Sequence, residues 1–281
     1  MLGVYTIVKT QSYGWGSART LGLGGVALAL LAGFGAWEAR ARNPLMPLRI
    51  LRSRNVSGAN PVQMLFIAGM FGMFFLGSLY MQRVLGYSAL QIGLAFLPVA
   101  VLIGGLSLGV APRLITRLGA KTTLVPGLAL GAGGLAWLTR TPVGAGYADD
   151  LLPSMVLVGA GAGLSFPALM TLAMSSAHPT DAGLASGLAN TTQQVGGALG
   201  LAVLATLSST HASALLHDHR SAASALTSGY HFAWTIGTGL LIAAIAASLA
   251  VLRPAGVAAP TGKIEAQVEK VTPDPTFREA A

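Results

Sequence analysis

IGLAFLPVAVLIGGLSLGVAPRLITRLGAK, residues 92–121, decides the fold of this chain. From Ile92 to Pro112 it carries no charge, and Ser107 is its one hydroxyl. At 1.5 Å per residue, about 20 such residues make a helix about 30 Å long, the thickness of a hydrocarbon core. The run is continuously apolar, so it is not a barrel strand, which would alternate. Arg113, Arg117 and Lys121 follow at once. The stretch reads as a membrane-spanning helix that emerges into a short basic loop.

The same pattern repeats outward in both directions. Seven stretches are long and apolar enough to span: 20–37, 56–80, 90–112, 122–139, 151–174, 183–209 and 230–252. Charged residues are 9% of the chain, against about 25% in soluble domains. Mean hydropathy is +0.66. The chain is therefore expected to be an all-α integral membrane protein. It has no cysteine, which excludes disulfide and thiol chemistry. Its basic balance, pI about 10.3, does not point to nucleic acid. The Lys and Arg residues sit between spans, where topology uses them, and form no patch with aromatics. Residues 1–8 are apolar but too short to span, and lack a basic leader region. They read as the last turns of a helix.

The loops set an orientation. Arg40, Arg42, Arg49, Arg52 and Arg54 lie between the first two spans, and Arg113, Arg117 and Lys121 between the third and fourth. The alternate loops hold fewer positives: Arg83, Arg140 beside Asp149 and Asp150, and Arg220 beside Asp218. Short Lys/Arg-rich loops stay cytoplasmic. The basic loops, the loop at 175–182 and the C-terminus are thus expected inside the cell membrane. Segment 43–54 interleaves Leu45, Met46, Leu48, Ile50 and Leu51 with arginines. It fits an interfacial segment or a plain basic loop equally well. The tail 253–281 reads as disordered and cytoplasmic.

Inside the spans, Gly105/Gly109, Gly127/Gly131, Gly159/Gly163, Gly183/Gly187 and Gly196/Gly200 form small-xxx-small pairs that suit close helix packing. Pro61, Pro98, Pro126 and Pro167 are candidate kinks. Asn60, Gln63, Met70, Phe74 and Gly77 share one face of the second span. Asn190, Thr191, Gln193 and Gln194 cluster in the sixth, with Gly197 and Leu201 continuing the Asn190–Gln194 stripe. Such amides either bond between helices or line a water-filled path. The path reading has Asn60, Gln63, Met70, Phe74, Asn190 and Gln194 line it, with Asn190 and Gln194 bordering the same cavity as Gln63. His211, His217 and His219 are expected in a solvated loop, not at a metal. His231 is expected to open the last span beside Trp234, as an interfacial anchor. No catalytic triad, paired carboxylates or phosphate loop appears, so the chain is read as no enzyme, with no cofactor and no metal.

Gly109 to Lys121, GVAPRLITRLGAK, resembles the signature loop of the major facilitator superfamily. Arg117, Gly119 and Lys121 match its Arg-x-Gly-x-basic core, and Thr116 stands where the family usually has Asp. NPLMPLR at 43–49 and GLASGLANTTQQVGGALG at 183–200 look like stretches of the fourteen-helix drug:proton antiporters. The resemblance implies a major facilitator fold: a C-terminal six-helix bundle plus one linker helix. Residues 1–19 would end a truncated linker helix and its outer loop. Residues 20–55 would be a linker span and basic loop, 56–252 the bundle, and 253–281 the tail. Arg113, Arg117, Gly119 and Lys121 would form a gating loop, Arg117 pairing with helix ends or acidic partners. The function implied is the C-terminal half of a proton-coupled multidrug or antibiotic exporter working by alternating access. Its partners would be the lipid bilayer, lipophilic substrates, protons and a missing N-terminal half that holds the coupling acid. The alternatives are a truncated, non-transporting membrane subunit and a carrier for another small solute.

The orientation is testable because the chain is free of cysteine. In intact cells a membrane-impermeant maleimide should label Arg83→Cys and Arg140→Cys but not Arg52→Cys or Arg117→Cys. External labelling at position 117 reverses the assignment.

Overall fold

A computed structural model describes Thr6 and residues 17–40, 54–175 and 182–252. The helix-end reading of 1–8, most of the basic segment 43–54, the loop at 176–181 and the tail 253–281 lie outside the described residues. Seven helices coincide with the seven expected spans: α1 (Ala18–Arg40), α2 (Arg54–Arg83), α3 (Ala89–Leu118), α4 (Ala120–Leu138), α5 (Tyr147–Met174), α6 (Ala182–His217) and α7 (Ala222–Val251). Six of them are long and apolar enough to cross a membrane. The remaining one, α4, opens on Lys121-Thr122-Thr123 and packs between α5 and α7. Among the described residues there is no strand.

Local chemistry sets the breaks. Gly86 turns the chain after α2 with φ +71°, a left-handed value that costs glycine little. Ser88 then caps α3 in a capping box with Gln91. Inside α3 the helix is interrupted at Phe96, just before Pro98, and again by a π turn at Leu106–Val110. There Ser107 Oγ donates to the Gly163 carbonyl at 3.0 Å. By contrast α2, α4 and α5 remain helical through Pro61, Pro126 and Pro167.

Two readings of helix length are corrected. The sixth span continues to His217 and the seventh begins at Ala222. His211 is thus a helical residue, its ring stacked on Phe232 at 4.9 Å and its Nε2 3.2 Å from Ser228 Oγ. His217 is the last residue of α6, and His231 lies well inside α7. The apolar run marks only what crosses hydrocarbon. The Ala, Ser and Leu residues beyond it extend the helix into the interface at no cost in buried polarity.

Packing repeats itself. α2 packs on α6 and α7, α5 packs on α3 and α4, and α4 packs on α7. Exchanging α2 with α5, α3 with α6 and α4 with α7 maps this set onto itself. That is the pattern of two three-helix repeats. Phe66, Ile67, Met73, Leu124, Leu128, Leu135 and Trp234 fill the centre. Lipid tails offer no hydrophobic drive, so backbone proximity and dispersion must hold the bundle.

Glycine supplies that proximity at three of the five small-residue pairs. A Cβ on Gly161 would stand 2.5 Å from Gly131 N and 2.6 Å from Gly127 O. Gly159 and Gly163 meet the α3 backbone, and Gly196 and Gly200 meet Met64 and Ala68 of α2. Gly105, Gly109, Gly183 and Gly187 face open space. Spacing told which glycines share a face, but not where that face points.

Gly161→Ala should therefore force α4 and α5 apart and destabilise the bundle by about 2 kcal/mol. Thermal unfolding in detergent or nanodiscs should show a clear loss for Gly161→Ala and none for Gly105→Ala.

Candidate substrate path and hinge loop

The seam between α2 and α6 is a ladder of four-residue steps. Met64 and Ala68 of α2 face Gly196 and Gly200 of α6. One turn before them, Thr192 Oγ1 donates to Asn60 Oδ1 at 2.9 Å. Asn60 Nδ2 donates within its own helix to the Val56 carbonyl at 2.7 Å. Both ends of this buried amide are satisfied inside the protein. Thr192 was missed by sequence reading, although it precedes Gly196 and Gly200 at the same four-residue step.

The other expected path residues divide. Gln63 is buried, and its Oε1 has no hydrogen-bond partner. Met70 is buried towards Gly131 of α4. Phe74 is half-buried with its ring 5.3 Å from that of Phe96 in α3. Asn190 and Gln194 are exposed. They lie with Gly183, Gly187 and Ala198 on an outward stripe of α6. The stripe does not continue through Gly197, which is buried against the Phe71 ring. The structure thus places Gln63 inside the bundle and Asn190 and Gln194 on its surface, and does not bring them together. Beside the seam, α2, α6 and α7 enclose an apolar groove of about 370 Å³, bordered by Met64, Leu65, Leu204, Ile236 and Leu240.

At the α3–α4 junction, Gly119 ends one helix and starts the next with φ +90° and ψ 155°. Its amide still donates to the Ile115 carbonyl at 2.9 Å. Thr123 Oγ1 bonds the Gly119 carbonyl at 3.0 Å. Lys121 Nζ reaches across to α7 and donates to the carbonyls of Leu249 (3.0 Å) and Leu252 (2.6 Å). These are carbonyls a helix end leaves without intrahelical partners, and a cation suits the negative end of the helix dipole. The helix-end contact expected of Arg117 is made by Lys121 instead. Arg113 and Arg117 are exposed and, among the described residues, form no ion pair or side-chain hydrogen bond. Thr116, where an Asp was expected from the resemblance, donates to the Arg113 carbonyl at 3.0 Å. Its hydroxyl satisfies the loop locally and carries no charge.

Two three-helix repeats, a basic loop turned at Gly119 and an amide-bearing stripe on α6 define a polytopic helical membrane bundle. Residues 17–201 match the family described as Major Facilitator Superfamily, and the chain belongs to it. It is similar to the puromycin resistance protein of Streptomyces alboniger, 34% identical over 243 residues, which are 85% of this chain and 48% of that protein. It is 40% identical over 203 residues to the cephamycin export protein CmcT of Amycolatopsis lactamdurans, covering 72% and 42%. With the tetracenomycin C resistance and export protein of Streptomyces glaucescens it shares 34% over 206 residues, covering 73% and 38%. The chain spans about half the length of these relatives or less.

The Lys121 contact predicts a selective weakening. Lys121→Met should speed amide exchange at 249–252 and cost about 1 kcal/mol. Arg117→Met should leave both stability and exchange unchanged, since its side chain holds nothing in this bundle.

Proposed function

We propose that the chain is the C-terminal half of a proton-coupled exporter of lipophilic antibiotics and drugs, working by alternating access. The observation that carries this reading is the exposed stripe of Asn190 and Gln194 on a helix long enough to span. Each lies well beyond the start of α6, by roughly 12 and 18 Å at 1.5 Å per residue. An amide at that depth needs water or a polar partner and is costly against lipid. The stripe therefore belongs on a central path, opposite a second six-helix half, and substrate would sit between the two. Relatives named for resistance to or export of puromycin, cephamycin and tetracenomycin C support an antibiotic cargo.

Coupling to protons falls to the other half in this reading. Among the described residues of α2–α7 the carboxylates are Asp149, Asp150 and Asp218, all at helix ends. In the working molecule α2–α7 rocks as one body. Gly119 supplies the turn that lets the basic loop fold tightly at its inner rim, where the C-terminus also lies.

The test is export in cells that co-express the chain with a matching N-terminal half. Resistance to puromycin-like drugs should appear with both halves and not with either alone. Asn190→Leu and Gln194→Leu should then change which drugs are exported at unchanged protein level. Loss of folded protein in both variants would assign these amides to helix bonding rather than to the path.

A further inference from the structure

The groove beside the α2–α6 seam has a floor and two walls. Ala68 of α2 and Gly200 of α6 form the floor, both buried and in direct contact. Leu199 and Val203 of α6 line one wall, Ile236 and Leu240 of α7 the other, and all four are half-buried. A buried floor between half-buried walls makes a trough that is open along one side. Every residue that lines it is apolar.

The trough and the amide stripe lie on different flanks of the seam. Leu199 follows Asn190, and Val203 follows Gln194, by nine residues. Nine residues are two and a half helical turns, so the trough wall and the amides stand on opposite sides of α6. Between them runs the contact with α2 made by Thr192, Gly196 and Gly200. A solute held by Asn190 and Gln194 would therefore not touch the trough.

One end of the trough is charged. Arg54 opens α2 and is exposed. Pro61 and Leu65, on the α2 edge of the trough, follow it by seven and eleven residues, the spacing of a single helix face. Pro61 lies about 10 Å further along the helix axis. A headgroup layer is about 5–8 Å thick on each side of the hydrocarbon core. With Arg54 among the headgroups, the trough thus begins where the hydrocarbon begins. α2 also turns the positive pole of its dipole to this end. The carboxylates of α2–α7 among the described residues, Asp149, Asp150 and Asp218, all lie at the opposite end of the bundle.

We infer that the trough is a binding site for one anionic phospholipid, its phosphate on Arg54 and one acyl chain laid over Ala68 and Gly200 between α6 and α7. A bulk lipid tail gains nothing by exchanging its neighbours for a flat apolar helix face. A trough surrounds the chain with more close contacts than neighbouring tails supply, and dispersion rewards them. The cation in register with it then selects a negative headgroup, by about fivefold for one arginine at the membrane surface. The inference does not rest on the export reading. It concerns the flank away from the amides and holds whichever way the chain faces.

The test uses the full purified chain in phosphatidylcholine nanodiscs. These carry a trace of phosphatidylglycerol with a diazirine midway along one acyl chain, or of phosphatidylcholine with the same diazirine. After illumination, peptide mapping should place adducts at 199–203 and 236–240, about fivefold more with the phosphatidylglycerol probe. Arg54→Gln should remove that preference and Arg54→Lys should keep most of it. Arg113→Gln, which removes another exposed cation, should leave it unchanged. Val203→Trp fills the trough and should abolish adducts at 236–240 with both probes. Leu240→Trp fills it from the other wall, is read at 199–203, and decides the matter should Val203→Trp not fold. Equal labelling by the two probes, or a preference that survives Arg54→Gln, overturns the site. So does displacement of the probe by puromycin, which would give the trough to cargo. So does a trough without adducts whose Leu199→Cys cross-links to itself, which would give it to a second copy. Unchanged export by Asn190→Leu and Gln194→Leu would count against the functional proposal and leave this site untouched.

Discussion

Everything in this bundle depends on how closely the backbones of α4 and α5 approach. Gly127, Gly134 and Gly161 stand where a Cβ would meet main-chain atoms of the facing helix. In water such a pair could be held by burying larger side chains. In a bilayer the surrounding tails are as apolar as leucine, so the gain must come from contacts that lipid cannot match. Direct backbone contact is the densest of these. Once α4 and α5 are seated, α7 packs on α4 and α3 on α5, while α2 and α6 complete the mirrored set.

The sequence made the number, order and nature of the helices legible, because both an apolar run and the basic loop after it have a direct physical cause. Residues 92–121 alone announce a span and its exit. Direction around a helix was legible only in part. Asn60 and Gln63 were correctly placed on one face, but the sequence held no sign that Thr192 would satisfy the first and leave the Oε1 of the second without a partner. Gly196 and Gly200 turned inward while Gly183 and Gly187, on the same helix with the same spacing, turned outward. A spacing rule is blind to the neighbour, and the neighbour decides. The histidines were misplaced for another reason. The hydropathy of α6 and α7 falls before the helices end, so His211 and His231 looked like loop and border residues. Each in fact packs on a ring and bonds a hydroxyl within the bundle.

The loop at 113–121 shows how a resemblance can locate a feature and still misassign the work within it. Gly119 adopts the left-handed turn that its place in the motif implies. The cation that does the holding is Lys121, because it alone enters α4 on the side facing the end of α7. Arg113 and Arg117 stay exposed and, among the described residues, hold no acidic group. With Thr116 in place of an acid, the loop offers cations outward and keeps no countercharge of its own.

The same asymmetry runs through the whole bundle. Its fixed charges gather at helix ends, its mid-helix amides lie in the α2–α6 seam or on α6, and the carboxylates of α2–α7 among the described residues stand at helix ends. A scaffold built this way responds poorly to a proton at mid-membrane but can respond at its ends. Protonation of a side chain in the central seam would have to break the Asn60–Thr192 bond, and neither group titrates. Any movement passed between the helix ends and the α2–α6 seam has two carriers, α5 and α7, since each touches α2, α4 and α6.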